Sequence, residues 1–139
     1  MLFLETMATF VITKKLNDEY KFEFTSRRGK TIFISNSYQL KFECENEIDF
    51  IKNNLEITVF LKSKSSKGKY FFRLLIDNKQ YAVSRKYATL LMLEKGIAEI
   101  LKYGPKSEVL DFSVQNLVFA DIQFEDWMKY LKPTFLFKY

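Results

Sequence analysis

Apolar and polar residues alternate in short runs before the rhythm lengthens, and this change of period happens twice along the chain. Tyr20, Phe22 and Phe24 are interleaved with Lys21, Glu23 and Thr25, the two-residue period of a half-buried strand. A turn containing Arg and Gly follows, and Ile32 and Ile34 resume the alternation. The apolar positions then take helical spacing at Leu40, Cys44, Ile48, Ile51 and Leu55. The second stretch runs the same way: "YFFRL" at Tyr70–Leu74, a turn through Asp77 and Asn78, Tyr81 and Val83, then Leu90, Leu93, Ile97, Ile100 and Leu101. This spacing predicts helices over 38–54 and 87–102. Asn36 with Gln39 is the expected capping box of the first. "YGP" at Tyr103–Pro105 is expected to stop the second, with Gly at the C′ position. Further strands are expected at Thr9–Thr13, Glu56–Leu61 and Glu108–Phe112. Hairpins flanking helices favour an α+β fold, a largely antiparallel sheet with the helices on one face.

The two stretches can be laid over one another. Tyr20–Phe24 covers Tyr70–Leu74, Ile32–Tyr38 covers Tyr81–Tyr87, and Glu45–Ile51 covers Glu94–Ile100. The offset slips from 50 to 49 inside the turn, where "TSRRGK" is one residue longer than "LIDNK". The expected organisation is one domain holding two repeats, 9–61 and 62–113. An N-terminal extension, 1–8, precedes them, and an aromatic C-terminal extension, 114–139, follows. The strand at Glu56–Leu61 can end the first copy, open the second, or do both.

A "Y-x-F" strand block, a short turn, a Ser followed by Tyr, a helix ending "E-x-G-I-x-x-I" and a "V-x-D" strand together resemble the YegP-like family of small bacterial proteins. The residues carrying the resemblance are Tyr70, Phe72, Ser84, Tyr87, Glu94, Gly96, Ile97, Ile100, Val109 and Asp111. The first copy keeps Tyr20, Phe22, Ser35, Tyr38, Glu45, Ile48 and Ile51, but has Glu47 where the family has Gly. The resemblance implies tandem β3-α-β units in one sheet, with their C-terminal strands exchanged between halves. It implies no activity, and fold alone licenses none.

Composition narrows the chemistry further. The 139 residues include no histidine, which argues against the usual catalytic triads and zinc sites. The single cysteine, Cys44, rules out an internal disulfide and fits a cytoplasmic location. It stands on the apolar stripe of its helix, where a free Cys behaves as a small hydrophobe. "MLFLETMATF" is too short an apolar run, broken by Glu5, for a signal peptide or membrane span. No cofactor is expected, and the acidic residues Glu43, Glu45, Glu47 and Asp49 read as a solvated helix face rather than a cation loop. Net charge is +5, distributed as zero over 1–54, +7 over 55–107 and −2 over 108–139. The middle of the chain therefore holds a field that attracts anionic partners.

Two groups of residues stand out as candidates for contact. Lys62, Lys64, Lys67 and Lys69 lie in "KSKSSKGK", read as a cationic loop that could hold an anion or nucleic acid. Trp127, Tyr130, Phe135 and Phe137 lie in the C-terminal extension, where a strand near Leu117–Phe124 and a helix at Glu125–Leu131 are expected. The extension is expected to fold back on its own sheet; the alternative is that these four residues anchor a partner or a second copy, since Trp and Tyr dominate interface hot spots. Phe33, Phe60 and Phe71 are expected on the sheet face away from the helices, an apolar patch that some cover should hide. The expected function is a non-enzymatic binding or assembly module, a small subunit of a larger complex, with a protein partner or self-association. The alternative is single-stranded nucleic-acid binding through Lys62–Lys69 and sheet aromatics.

Overall fold

The computed structural model describes residues 7–113. The elements are β1 (Thr9–Lys14), β2 (Tyr20–Thr25), β3 (Thr31–Ser35), α1 (Lys41–Asn53), β4 (Val59–Lys64), β5 (Tyr70–Ile76), β6 (Lys79–Ser84), α2 (Leu90–Tyr103) and β7 (Glu108–Asp111). Single 3₁₀ turns, Leu55–Ile57 and Gly104–Lys106, follow the two helices. The strands form one mixed sheet in the order β4-β5-β6-β3-β2-β1-β7. Every neighbouring pair is antiparallel except β1–β7, which is parallel.

Register explains which side chains are buried. Phe10↔Phe24 and Ile12↔Phe22 face one way from β1 and β2, and Phe60↔Leu74 and Lys62↔Phe72 face the same way from β4 and β5. Phe10, Ile12, Phe22, Phe24, Phe72 and Leu74 join Cys44, Ile48 and Ile51 of α1 and Leu93 and Ile100 of α2 in one core. Phe10, Phe24 and Phe33 form its aromatic centre, with ring centroids 4.9 Å (Phe10–Phe24) and 5.6 Å (Phe24–Phe33) apart. The opposite face carries Ile34, Leu61, Phe71, Arg73, Leu75 and Val83, set by the pairs Ile34↔Val83, Arg73↔Val83 and Leu61↔Arg73.

Two of the three phenylalanines expected on that open face are elsewhere. Between β2 and β3 the register shifts, so that Phe24 pairs with Phe33 while Thr25 pairs with Thr31. The residue skipped is Ile32. The bulge turns both Ile32 and Phe33 into the core and sends Ile34 to the open face, where it is exposed. Phe60 also lies on the helix side, edge-on to Phe72. Phe71 alone keeps its expected place.

The helices begin later than the apolar spacing suggests, because Tyr38 and Tyr87 remain extended and form isolated bridges with Tyr20 and Tyr70. Asn36 does not cap α1. Its side-chain amide donates to the Gln80 carbonyl at 3.0 Å, joining β3 to the second half. The cap is Leu40, whose N–H donates to Glu43 Oε1 at 3.0 Å, one half of a capping box. Thr89 caps α2 by accepting the Met92 N–H at 3.2 Å. Gly104 is right-handed (φ −55°) and leads into the 3₁₀ turn, so no left-handed C′ cap forms there. Its small size serves packing instead, since a Cβ would come within 3.0 Å of Leu55 Cδ1.

The strand expected at Glu56–Leu61 is displaced to Val59–Lys64 by the 3₁₀ turn at Leu55–Ile57. It crosses the expected boundary at residue 61. The register of β4 on β5 repeats that of β1 on β2 shifted by 50 residues at every pair, from Thr9↔Thr25 and Val59↔Leu75 to Lys14↔Tyr20 and Lys64↔Tyr70.

Candidate binding surfaces

The Ser and Tyr of each stretch build a joint rather than a catalytic site. Ser84 Oγ accepts the Phe72 N–H at 2.9 Å and donates to the Arg85 carbonyl at 2.7 Å. Ser35 does the same for Phe22 and Asn36, at 2.9 and 2.7 Å. Beyond each serine the backbone turns so that Tyr87 and Tyr70, like Tyr38 and Tyr20, exchange two N–H···O bonds of 2.7–2.8 Å. The Ser84 hydroxyl thus satisfies a buried amide where the ladder is interrupted. Ser84→Ala is expected to lower unfolding free energy by about 1–3 kcal/mol, since it strands that amide. Ser35→Ala should cost less, because Ser35 is only partly buried. Urea titrations of the two variants check both; equal small losses would mean the joint contributes little.

Tyr87 passes over α2 at Gly96, where an added Cβ would lie 2.5 Å from the hydroxyl. Burial raises the phenol above its ordinary pKa. In α1 the residue 49 positions earlier is Glu47. Tyr38 stacks on Phe22 with centroids 6.2 Å apart, and its buried hydroxyl has no hydrogen-bond partner among the described residues. Burial also raises the Glu47 carboxyl, against a lowering influence from Lys79. Cys44 is fully buried, and burial pushes its thiol up to about 12, which leaves it an inert core residue. Glu43, Glu45 and Asp49 form no metal cluster with their neighbours among the described residues.

Asp111 joins β7 to α1 through a 2.9 Å contact with Lys41 Nζ. Burial works to raise its carboxyl, but hydrogen bonds from Ser113 and Lys41 outweigh it and hold the group below its ordinary value. A carboxyl lowered on folding stabilises the fold above its unfolded pKa of about 3.9, and the contribution disappears as pH falls through the lower folded value. Asp111→Asn is expected to cost under about 1 kcal/mol at neutral pH, the pair being partly exposed, and to make the loss of stability on acidification shallower. Thermal melts of both proteins between pH 7 and 2 check this. Parallel curves would mean that Asp111 is not held down by its partners.

The four lysines do not share one loop. Lys62 and Lys64 belong to β4, while Ser65–Lys69 make the tight turn, closed by the Ser65 N–H on the Lys69 carbonyl at 2.7 Å with Gly68 at φ 83°. Lys62 pairs with Glu94 of α2 at 2.7 Å, and the Lys64 ammonium sits 5.5 Å from the Tyr70 ring. Lys67 and Lys69 stay exposed in the turn. In "VFLKSK" both lysines fall on exposed positions of a strand at the sheet margin, which a loop reading overlooks. Trp127, Tyr130, Phe135 and Phe137 lie outside the described residues.

A different cluster is gathered on the open face. The Arg73 guanidinium lies 5.7 Å and the Lys86 ammonium 5.5 Å from the Phe71 ring centroid. Neither cation has a carboxylate within ion-pair distance among the described residues. Across the sheet, Glu23 neutralises Lys21 at 2.7 Å and accepts from the Thr31 hydroxyl at 2.8 Å. One half of the face is therefore internally compensated, and the other is cationic, aromatic and fringed by exposed Ile34, Val59 and Leu61. The alternation of Phe71 and Arg73 in β5 carried this signal; the approach of Lys86, beyond the end of β6, did not show in the spacing.

No helix among the described residues is long and apolar enough to cross a membrane. No family model matches the chain. Its curated relatives include the UPF0339 protein YegP of Escherichia coli K12, 30% identical over 104 residues, covering 73% of this chain and 94% of the relative. A UPF0339 protein in the ptx operon 5′ region of Stutzerimonas stutzeri is 28% identical, over 74% of this chain and 95% of its own. The solution NMR structure of the E. coli YegP protein, described as of unknown function, superposes with a TM-score of 0.69 at 28% identity, over 78% of this chain and 95% of that one. A UPF0339 protein from Shewanella oneidensis gives the same TM-score at 22% identity, which speaks for the fold alone. With that identity spread over nearly the full length of YegP, and the sheet and both helices in place, the chain belongs to the YegP (UPF0339) family.

Proposed function

We propose that the protein is a non-enzymatic binding or assembly module, a small subunit that docks on an acidic, partly apolar protein surface through the open face of β4–β6. The observation that carries this reading is Phe71 held between two cations with no carboxylate partner among the described residues, Arg73 and Lys86. A partly exposed ring with two cations nearby that have no carboxylate partner among the described residues is a natural anchor for an anionic partner. The platform is the sheet itself, and we read it as a duplicated β3-α-β unit, 9–61 and 62–113, whose last strand is exchanged onto the first half. The matching registers 50 residues apart and the seat of β7 beside β1 support that view.

The same cluster favours a second reading, single-stranded nucleic acid stacking on Phe71 with phosphates on Arg73, Lys86 and the turn lysines Lys67 and Lys69. One experiment separates the two. The tagged chain and a Phe71→Ala/Arg73→Glu/Lys86→Glu variant are used to recover native partners at low salt, with and without nuclease. Nuclease-resistant protein recovered by the parent and lost at least tenfold by the variant supports docking. Nuclease-sensitive material, with oligonucleotide affinity falling with salt at a log–log slope near about −3 for four phosphate contacts, supports the second reading. Equal recovery by both proteins overturns each of them. Lys62→Ala and Lys64→Ala should leave recovery unchanged, since those side chains belong to β4 and the helix side.

A further inference from the structure

The two margins of the sheet are built from matching strands but finished differently. In β1, Phe10, Val11 and Ile12 are all buried, and β7 lies alongside, the Phe112 N–H donating to the Ile12 carbonyl at 2.9 Å. Fifty positions on, β4 has Phe60, Leu61 and Lys62 in the same register against its inner neighbour. Phe60 is only half-buried, Leu61 and Lys62 are exposed, and no strand flanks β4 among the described residues. By that register Phe60, Lys62 and Lys64 carry the outward backbone groups of β4, as Ile12 does in β1. The margin is also apolar. Ile57, Val59 and Leu61 are exposed along it, as is Leu101 of α2. A groove of roughly 360 Å³ runs between β4 and α2, lined by Phe60, Lys62, Glu94, Ile97, Ala98 and Leu101. The two charges that line it are paired within the chain, Lys62 to Glu94 at 2.7 Å.

We propose that this margin pairs with the same margin of a second copy, two β4 strands running antiparallel about a two-fold axis at Leu61. The strand is self-complementary in that frame. Leu61 stands opposite its own counterpart, Val59 opposite Ser63, and Thr58, which is extended, opposite Lys64. Phe60 stands opposite Lys62, and these are residues whose backbone groups face outward, so each such pair closes two N–H···O bonds. The Lys62 stem then lies along the Phe60 ring of the other copy and shields the groove floor, while its ammonium keeps Glu94. Lysines on an edge strand commonly guard against such association. Here the guard is weakened, because Lys62 is neutralised within its own chain and neither lysine stands opposite a like charge. Centring the axis on Lys62 instead would set two ammonium groups face to face, a destabilising arrangement. A standard interface buries about 800 Å² per partner, and this strip is narrower, so the expected dimer is weak and concentration-dependent. It leaves the Phe71 cluster uncovered and stands independently of docking through that face.

The test uses the full chain. Sedimentation from about 10 µM to about 1 mM is expected to show the mass rising from that of one chain toward that of two. Leu61→Glu and Leu61→Lys each set like charges face to face at the axis, and each should need at least about tenfold more protein to pair than the parent. Mixed in equal amounts, the two variants should pair again, since every glutamate then meets a lysine. Leu61→Cys, oxidised with glutathione disulfide, should give a 61–61 disulfide between chains, read by non-reducing electrophoresis and peptide mass mapping. Cys44 is fully buried and does not compete, and Leu61 is exposed, so the fold tolerates all three changes. A parent chain that stays monomeric throughout the range overturns the proposal and leaves the margin to a different occupant. Pairing that persists unchanged in both charged variants overturns it by placing the contact elsewhere. Failure of their mixture to pair overturns the two-fold axis at Leu61.

Discussion

Phe24→Ala is expected to cost about 3–5 kcal/mol of unfolding free energy, the largest loss from any single truncation of a β2 side chain. The ring is completely buried, 4.9 Å from Phe10 and 5.6 Å from Phe33. Removing it forfeits the transfer of a phenyl group and leaves a cavity among three strands whose backbones cannot close upon it. Offset and tilted aromatic contacts with two neighbours add to the loss. A domain of this size has about 5–15 kcal/mol in reserve, so the variant should stay folded at 25 °C yet lose a large share of its stability. Phe60→Ala gives the control, since Phe60 is half-buried and should cost clearly less. Urea midpoints of the two variants, read with equal m-values, decide the matter. A Phe24→Ala loss below that of Phe60→Ala would remove the aromatic trio from the centre of the core.

Gly96→Ala tests a conflict between two effects of opposite sign. Alanine is the better residue for a helix interior by about 1 kcal/mol, so propensity alone predicts a gain. The added methyl would stand 2.5 Å from the Tyr87 hydroxyl and 3.1 Å from its Cζ. Tyr87 cannot swing away freely, because its backbone is paired with Tyr70 and its ring is buried. Overpacking of this kind costs about 1–3 kcal/mol, and the net change should be a destabilisation of about 1–2 kcal/mol. Adding Tyr87→Phe removes the nearer atom and should recover part of the loss, a coupling that a double-mutant cycle measures directly. A stabilised Gly96→Ala protein would show that the tyrosine yields without cost. In α1 the residue 49 positions before Gly96 is Glu47, and the buried Tyr38 hydroxyl has no partner within hydrogen-bond distance among the described residues.

Much of this architecture was legible in the chain. The alternation of Tyr20–Phe24 and Tyr70–Leu74, and the helical spacing of Cys44, Ile48 and Ile51, mark elements whose burial pattern follows directly from local periodicity. Periodicity fails where one residue is inserted. The bulge at Ile32 exchanges the faces of Phe33 and Ile34, and nothing in "TIFIS" announces it, because Ile32, Phe33 and Ile34 are consecutive apolar residues. It fails again at Tyr38 and Tyr87, where helical spacing continues backwards into residues held extended by bridges to Tyr20 and Tyr70. The candidate surface was only half visible for a related reason. Phe71 and Arg73 are two apart on one strand and can be paired by counting, but Lys86 approaches them through the turn that follows β6, a tertiary fact. The lysine run misled because its spacing resembled a loop, while two of its members, Lys62 and Lys64, belong to the margin strand β4 on the helix side.

The parallel pairing of β7 with β1 has a consequence for how the molecule is made. β1 can find β2 as soon as a hairpin has emerged, but its other flank waits until Glu108–Asp111 has been synthesised. At a translation rate of about 5–20 residues per second, that wait lasts roughly 5–20 s. Throughout it, Phe10, Val11 and Ile12 are an unfinished border in a nascent chain, while the β4–β5 hairpin is assembled from neighbours. Interference during biosynthesis should therefore fall first on the amino-terminal strand, and shielding by the ribosome or a chaperone would matter most before the last described strand arrives.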